Sequence, residues 1–188
     1  MITMTNFAPN QAAIVPEGVF IIGTYDENGV PNAMNAAWGI QSAFKGELTF
    51  FLASHKTTDN LKHTGAFTVS FATADTVTIS DYFGVETGRK INKIETAGVH
   101  VHKSQHVNAP IIEEYPVTLE CKVKNYDEAT GILTGTIVNQ IADDSVITDG
   151  HIDYDKLKPI IFDIATKSYR VVGPVVGKAF HDGLALKK

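Results

Sequence analysis

The sequence is poor in cysteine and in basic residues, and it has no long apolar run. Of its 188 residues only Cys121 is a cysteine, which excludes an internal disulfide framework and a cysteine-ligated metal cluster. Lys and Arg (16) are fewer than Asp and Glu (21) and form no cluster, so we expect no nucleic-acid partner. No apolar run approaches the ~18 residues of a membrane span, and no basic segment precedes an apolar stretch near Met1. We therefore expect no membrane association and a cytoplasmic protein.

The composition is typical of one globular domain. Hydrophobic residues make up 44% of the chain, and at this length roughly 70% of the unfolded surface can be buried. We find no repeat, low-complexity segment or linker, and we therefore expect a single domain over residues 1–188.

Short β-type runs separated by turns dominate the chain. Residues 19–25, 48–53 and 67–71 are such runs, and Asn28-Gly29 after the first is a strong hairpin signal. Lys45-Gly46 predicts another turn. We expect these strands to form a meandering antiparallel sheet.

The clearest period of two lies in residues 117–124, and a hairpin through 127–131 returns the chain along 132–138. The pattern places Val117, Leu119, Cys121 and Val123 in the core and turns Thr118, Glu120, Lys122 and Lys124 toward water. Cys121 is thus predicted to be a small core residue. Helical signals are short: from 57 or 58 to 64, around 80–83, and at 92–95. Many strands and few helices indicate a mainly β fold, a barrel or a sandwich.

Common catalytic and phosphate-binding motifs are absent. No G-x-G-x-x-G follows a strand, residues 84–90 have the wrong spacing for a P-loop, and G-x-S-x-G does not occur. His100 and His102 share one face of an extended segment and His106 follows, a spacing that could hold a metal. Without a neighbouring acidic or cysteine ligand we favour an exposed polar loop and expect no metal.

A donor-rich segment follows the apolar run 48–53. Ser54, His55, Lys56 and Thr57 bring hydroxyls, an imidazole and an ammonium to the point where a strand passes into a helix. Helix N-termini with such groups favour anions. A plain helix cap by Thr57 or a neighbouring threonine explains the segment equally well.

A second segment, residues 29–38, is rich in small residues. Its alanines would let a ligand lie flat against the backbone, while Asn32 and Asn35 offer amide groups, which suits a planar heterocycle. The alternative is a tightly packed strand pair with Trp38 in the core.

Taken in order, these and further segments resemble a known family. The series is 19–25, 29–34 with Trp38, 54–57 with Asp59-Asn60, 65–67, 88–93, 97–98, 109–111 and 119–121. It resembles the flavin reductase-like FMN-binding split-barrel proteins, within them the flavoredoxin-like branch, over about residues 12–180. The resemblance implies an antiparallel Greek-key split β-barrel with a few short helices. It also implies a homodimer with FMN in a groove near the subunit interface.

Carried over by position, the resemblance assigns FMN-binding residues. The isoalloxazine would face Asn35, Ala36, Ala37 and Trp38, with Asn32 nearby. The ribityl chain and the phosphate would be held by Ser54, His55, Lys56 and Thr57. Lys93 would add positive charge near the phosphate or the ring.

The function implied is that of an FMN-dependent oxidoreductase. NADH or NADPH would donate electrons through FMN to a small-molecule acceptor, such as a flavin or ferric iron. Two alternatives stay open: a non-catalytic FMN-binding electron carrier fed by a redox protein partner, and a barrel without cofactor that serves interaction. Asn92 and Ile94 stand where the family pattern usually has an acidic and an aromatic residue, which leaves donor and acceptor open. No catalytic acid or base is assigned, because the cofactor carries the chemistry.

Overall fold

The structure, a computed structural model, describes residues 4, 8, 16–42 and 45–187. Residues 12–15, where the expected core begins, lie outside these ranges. The strands are β1 (Glu17–Gly18), β2 (Phe20–Tyr25), β3 (Pro31–Ala36), β4 (Gly39–Ser42), β5 (Glu47–Phe51), β6 (Ala66–Phe71), β7 (Val101–Lys103), β8 (Pro110–Ile112), β9 (Val117–Asp127), β10 (Ile132–Ala142), β11 (Ile147–Thr148), β12 (His151–Ile152), β13 (Ile160–Asp163) and β14 (Ser168–Val171). The helices are α1 (Lys56–Thr64), α2 (Val77–Val85), α3 (Lys93–Ala97) and α4 (Tyr154–Leu157), with 3-10 turns at Asp144–Val146 and Asp182–Leu186.

Seven strands form one curled antiparallel sheet that makes a half-barrel. Their order is β3-β2-β6-β9-β10-β5-β4, which confirms the split-barrel expectation. The expected meander is wrong, because β5 pairs with β10 and not with β6, its successor in the chain. Helix α1 connects β5 to β6 and packs against β2, β6 and β9, so it carries the chain from one side of the sheet to the other. A second sheet, β1-β13-β14, brings the C-terminal hairpin against the first strand.

The core lies on both faces of β2. Successive strand residues point to opposite faces, and Ile21 and Ile22 are both fully buried. Ile22 belongs to the cluster inside the half-barrel, together with Phe50 and Cys121, which confirms Cys121 as a core residue. Ile21 belongs to the cluster on the outer face, with Phe83 of α2. Helices and the C-terminal hairpin therefore cover the outside of the sheet near β2 and β3.

The two-sided pattern predicted for β9 is wrong at its start. Lys122 and Lys124 are exposed as expected, but Thr118 and Glu120 are each only 1% exposed. The segment after β7 covers this face, and the Ser104 hydroxyl donates to the Glu120 carboxylate. A buried carboxylate needs such donors, which explains how Glu120 is accommodated.

The three predicted helices are confirmed, with shifted bounds. Helix α1 runs from Lys56 to Thr64 and ends at Gly65, whose φ of 66° is the left-handed conformation that favours glycine at this position. Helix α2 is longer than expected, and α3 begins after Asn92, whose side chain accepts from the Glu95 amide. Within the ranges described, no helix has the length and apolar character needed to cross a membrane.

Candidate functional site

Strand β3, the start of α1 and residues 84–88 enclose a polar depression of about 240 Å³. Its lining includes Asn32, Thr57 and Lys93, which are buried, and His55 at its edge. Donor groups from three separate elements therefore face one small space.

Two adjacent threonines at the start of α1 do different work. Thr58 Oγ1 accepts from the His55 amide at 2.9 Å and donates to the His55 carbonyl at 2.8 Å, so Thr58 caps the start of the helix. Thr57 Oγ1 instead accepts from Asn32 Nδ2 at 2.7 Å. Because a hydroxyl that accepts one bond can still donate its own hydrogen, Thr57 keeps a donor for a ligand. The cap and the anion-site interpretations are compatible, since separate residues serve them.

Lys93 contributes a buried ammonium to the polar depression. Its Nζ donates to the carbonyls of Phe83 (2.9 Å) and Glu86 (3.2 Å), and among the described residues it forms no ion pair. Burial lowers the pKa of Lys93 to about 8, although the charge of Glu86 acts in the opposite direction. A cation in this state gains from an anionic neighbour, because the anion compensates for lost solvation.

Lys56 is partly committed elsewhere. Its stem lines the polar depression, but its Nζ lies 3.2 Å from Asp26 Oδ2. Its charge is therefore already balanced by a carboxylate, and Lys93 is the stronger candidate for binding an anion.

His55 and Gly88 shape the rim of the polar depression. Partial burial, followed by the positive charges of Lys93 and Arg89, lowers the pKa of His55 from its usual value and so favours the neutral ring. At Gly88 a Cβ would lie 2.0 Å from Asn32 Oδ1. Glycine at this position lets the loop approach Asn32 closely.

An apolar depression of about 380 Å³ continues from the polar one. The two share Met34, Asn35, His55, Gly84 and Val85. The remaining lining of the apolar depression consists of Ala36, Ala37, Trp38, Phe51, Leu52, Ala53, Asp81, Phe162 and Tyr169. Together they form a groove with an apolar end and a donor-rich end, of the size that ligand sites commonly have.

The structure gathers nine of the ten predicted site residues around this groove. Asn32, Asn35, His55, Lys56, Thr57 and Lys93 line the polar depression, while Ala36, Ala37 and Trp38, together with Asn35 and His55, line the apolar one. Ser54 lines neither depression of the groove but a neighbouring one, which shares Trp38, Phe51, Leu52 and Ala53 with the apolar depression. Trp38 is 53% exposed, so the alternative of a core tryptophan is wrong.

The histidines near β7 do not converge. His100 Nδ1 lies 2.9 Å from Glu114 Oε1, and His102 Nδ1 lies 3.0 Å from Glu113 Oε1, so each ring has its own carboxylate. In the part of the chain that the structure describes, no group of three or more His, Cys, Asp or Glu side chains could hold a metal ion.

One wall of the apolar depression was not predicted. Asp81, Gly84 and Val85 come from α2, and Phe162 and Tyr169 come from the C-terminal hairpin. Gly84 and Gly88, at the two ends of segment 84–88, were a usable signal for a loop that approaches a ligand. Nothing in the local sequence marks Tyr169, because its partner Asp81 is 88 residues away.

Comparisons with known proteins agree with this geometry. The domain family described as flavin reductase like domain matches residues 12–156. Flavoredoxin of Desulfovibrio vulgaris (Miyazaki F) is 31% identical, with a TM-score of 0.90 over 96% of this chain and 100% of that chain. Flavoredoxin from Methanosarcina acetivorans is 25% identical, with a TM-score of 0.88 over 98% and 100%. An FMN-binding domain of a flavin reductase-like enzyme from Shewanella baltica shares the fold, at 19% identity and a TM-score of 0.78 over 86% and 89%. The chain therefore belongs to the flavin reductase-like family.

Proposed function

We propose that this chain binds FMN in the groove and acts as an oxidoreductase, passing electrons from NADH or NADPH to a small acceptor. The observation that carries the proposal is the groove itself, whose apolar end is continuous with a polar end that contains Lys93, which forms no ion pair among the described residues. FMN has matching parts, a planar ring system and a phosphate with close to two negative charges. Family membership supports the same cofactor.

The residues of the chain have binding and positioning tasks. Lys93 and Thr57 hold the phosphate, and Asn32 fixes the Thr57 hydroxyl. Ala36 and Ala37 leave room for a flat ring along β3, while Trp38 and Phe51 border its open side. When bound, FMN supplies the redox chemistry, because its ring accepts a hydride and passes electrons on. This division of labour needs no catalytic acid or base from the protein.

A second candidate is a non-catalytic electron carrier that receives electrons from a redox protein partner. The similarity to flavoredoxin at 31% identity favours it. The exposed Trp38 and Phe51 line the apolar depression, where a docking protein would meet the cofactor.

Spectroscopy on the purified chain tests both candidates. Flavin bands in the spectrum, together with release of FMN on denaturation, support FMN binding; a colourless protein that FMN does not bind would contradict it. Anaerobic addition of NADH or NADPH then separates the candidates. Rapid bleaching supports the reductase, whereas retained flavin that neither nucleotide bleaches supports the carrier.

We also propose that the chain forms a homodimer. Every residue from Val172 to Lys187 is exposed, including a fully exposed Phe180, and monomeric proteins seldom leave such apolar segments uncovered. Light scattering on the full chain with FMN should give twice the chain mass. Truncation after Gly173, or the milder Phe180→Ser, should shift the mass toward one chain. A single-chain mass for the full protein would contradict the homodimer.

A further inference from the structure

The wall that α2 and the C-terminal hairpin form beside the apolar depression contains a fixed pair of polar groups. Tyr169 Oη donates to Asp81 Oδ1 at 2.7 Å. The Tyr169 ring lies 5.9 Å from the Phe162 ring, at an interplanar angle of 49°, so packing also restrains it. The phenol thus orients the carboxylate at the edge of the space assigned to the flavin ring.

This pair places a carboxylate beside the apolar depression. Burial, and then the hydrogen bond to Asp81 and its charge, raise the pKa of Tyr169 to about 12, so the phenol stays a neutral donor. Among the described residues that line this depression, His55 is the basic group, and its pKa is lowered. In the same part of the chain, no cation forms an ion pair with Asp81.

We propose that Asp81, oriented by Tyr169, lowers the reduction potential of the bound flavin. The inference rests on the proposed function, since it requires the flavin ring in the apolar depression. Reduction adds two electrons to the ring; with uptake of one proton the ring gains a negative charge, and with two protons it stays neutral. Where one proton is taken up, a carboxylate beside the ring opposes the added charge, so it stabilises oxidised relative to reduced flavin. Asp81 is the charged group and Tyr169 is a positioning residue.

The test is the midpoint potential of bound FMN, measured by anaerobic reductive titration of the full chain. In Asp81→Asn, reduced FMN should bind about tenfold more tightly relative to oxidised FMN than in the wild type, the size expected for one charge across a partly exposed site. For a two-electron couple this is a positive shift of about 30 mV. Tyr169→Phe should move the potential in the same direction by less, because the carboxylate keeps its charge but loses its orientation. Both shifts should shrink at high salt, since Asp81 is exposed at the rim.

Asp75→Asn is the matched control, because it removes the same charge from an exposed position just before α2 that lines neither depression. It should leave the potential unchanged. An unchanged potential in Asp81→Asn, or an equal shift in Asp75→Asn, would overturn the inference while FMN binding, and with it the proposed function, still stood. Failure of the wild-type chain to bind FMN would overturn both. If Asp81→Asn does not fold, an unchanged potential in Tyr169→Phe is sufficient to reject the inference.

Discussion

Raising the pH from 7 to 9 should weaken FMN binding about tenfold through Lys93. Without ligand, burial holds the pKa of Lys93 at about 8. A bound phosphate favours the charged ammonium and raises that pKa, so binding takes up a proton once the pH exceeds 8. One group with a pKa of 8 then changes the dissociation constant by about tenfold between pH 7 and 9, or about 1.4 kcal/mol.

Other groups do not titrate strongly in this window. The second ionisation of a phosphate lies near pH 6. Burial and the positive charges of Lys93 and Arg89 lower the pKa of His55, which moves the titration of its ring away from this window. The pH dependence therefore reports on Lys93.

The assay is a titration of the chain with FMN, followed by flavin fluorescence, at several pH values. Lys93→Met should bind FMN more weakly at pH 7 and lose the pH dependence, whereas the exposed neighbour variant Lys90→Met should keep it. Riboflavin, which lacks the phosphate, should bind independently of pH. Equal FMN affinity at pH 7 and 9, or an unchanged slope in Lys93→Met, would refute the assignment of Lys93 to the phosphate.

Three further variants test other parts of the structure. Gly88→Ala should weaken FMN binding, because its Cβ would lie 2.0 Å from Asn32 Oδ1 and displace the amide that donates to Thr57; titration with FMN decides, and unaltered affinity would contradict the close approach. Glu120→Leu should lower the free energy of unfolding by about 1–3 kcal/mol in urea, since buried Ser104 and half-buried Asn139 lose their acceptor, whereas Lys122→Leu should change it little. Cys121 should not react with a thiol reagent at pH 8 until the chain unfolds, because burial raises its pKa to about 12; fast labelling of the native chain would contradict this.

Local patterns in the sequence predicted most single elements of the fold. The helix expected near Thr57 is confirmed. It ends at Gly65, which adopts the left-handed conformation at the end of the helix. Pairing partners were harder to predict. Strand β5 pairs with β10, more than 80 residues later, and no turn signal connects them. The outer face of β9 was assigned to water because periodicity does not show that the segment after β7 covers Glu120.

The candidate groove could be predicted on one side only. Segments 32–38 and 55–57 are compact in the sequence, so their small residues and donors stand out. The opposite wall combines Asp81 with Tyr169. Because these residues are 88 positions apart, neither of them indicates a site when it is considered alone in the sequence. Ser54 was assigned together with Lys56 by the family resemblance, but it lines a neighbouring depression while Lys56 lines the polar one.

The two carbonyl contacts of Lys93 connect the polar end of the groove to the helix that borders its apolar end. Its ammonium holds Phe83 and Glu86, at the end of the helix that also carries Asp81 and Val85 into the apolar depression. An anion bound by this ammonium would therefore contact the side chain that also holds the end of α2. If the anion changes the affinity of the apolar end by some factor, thermodynamic reciprocity requires that filling the apolar end change the anion affinity of the polar end by the same factor. The affinities of phosphate alone and of the ring alone can each be measured. Their product should then differ from the affinity of the joined molecule by more than the entropy of connecting the two parts explains.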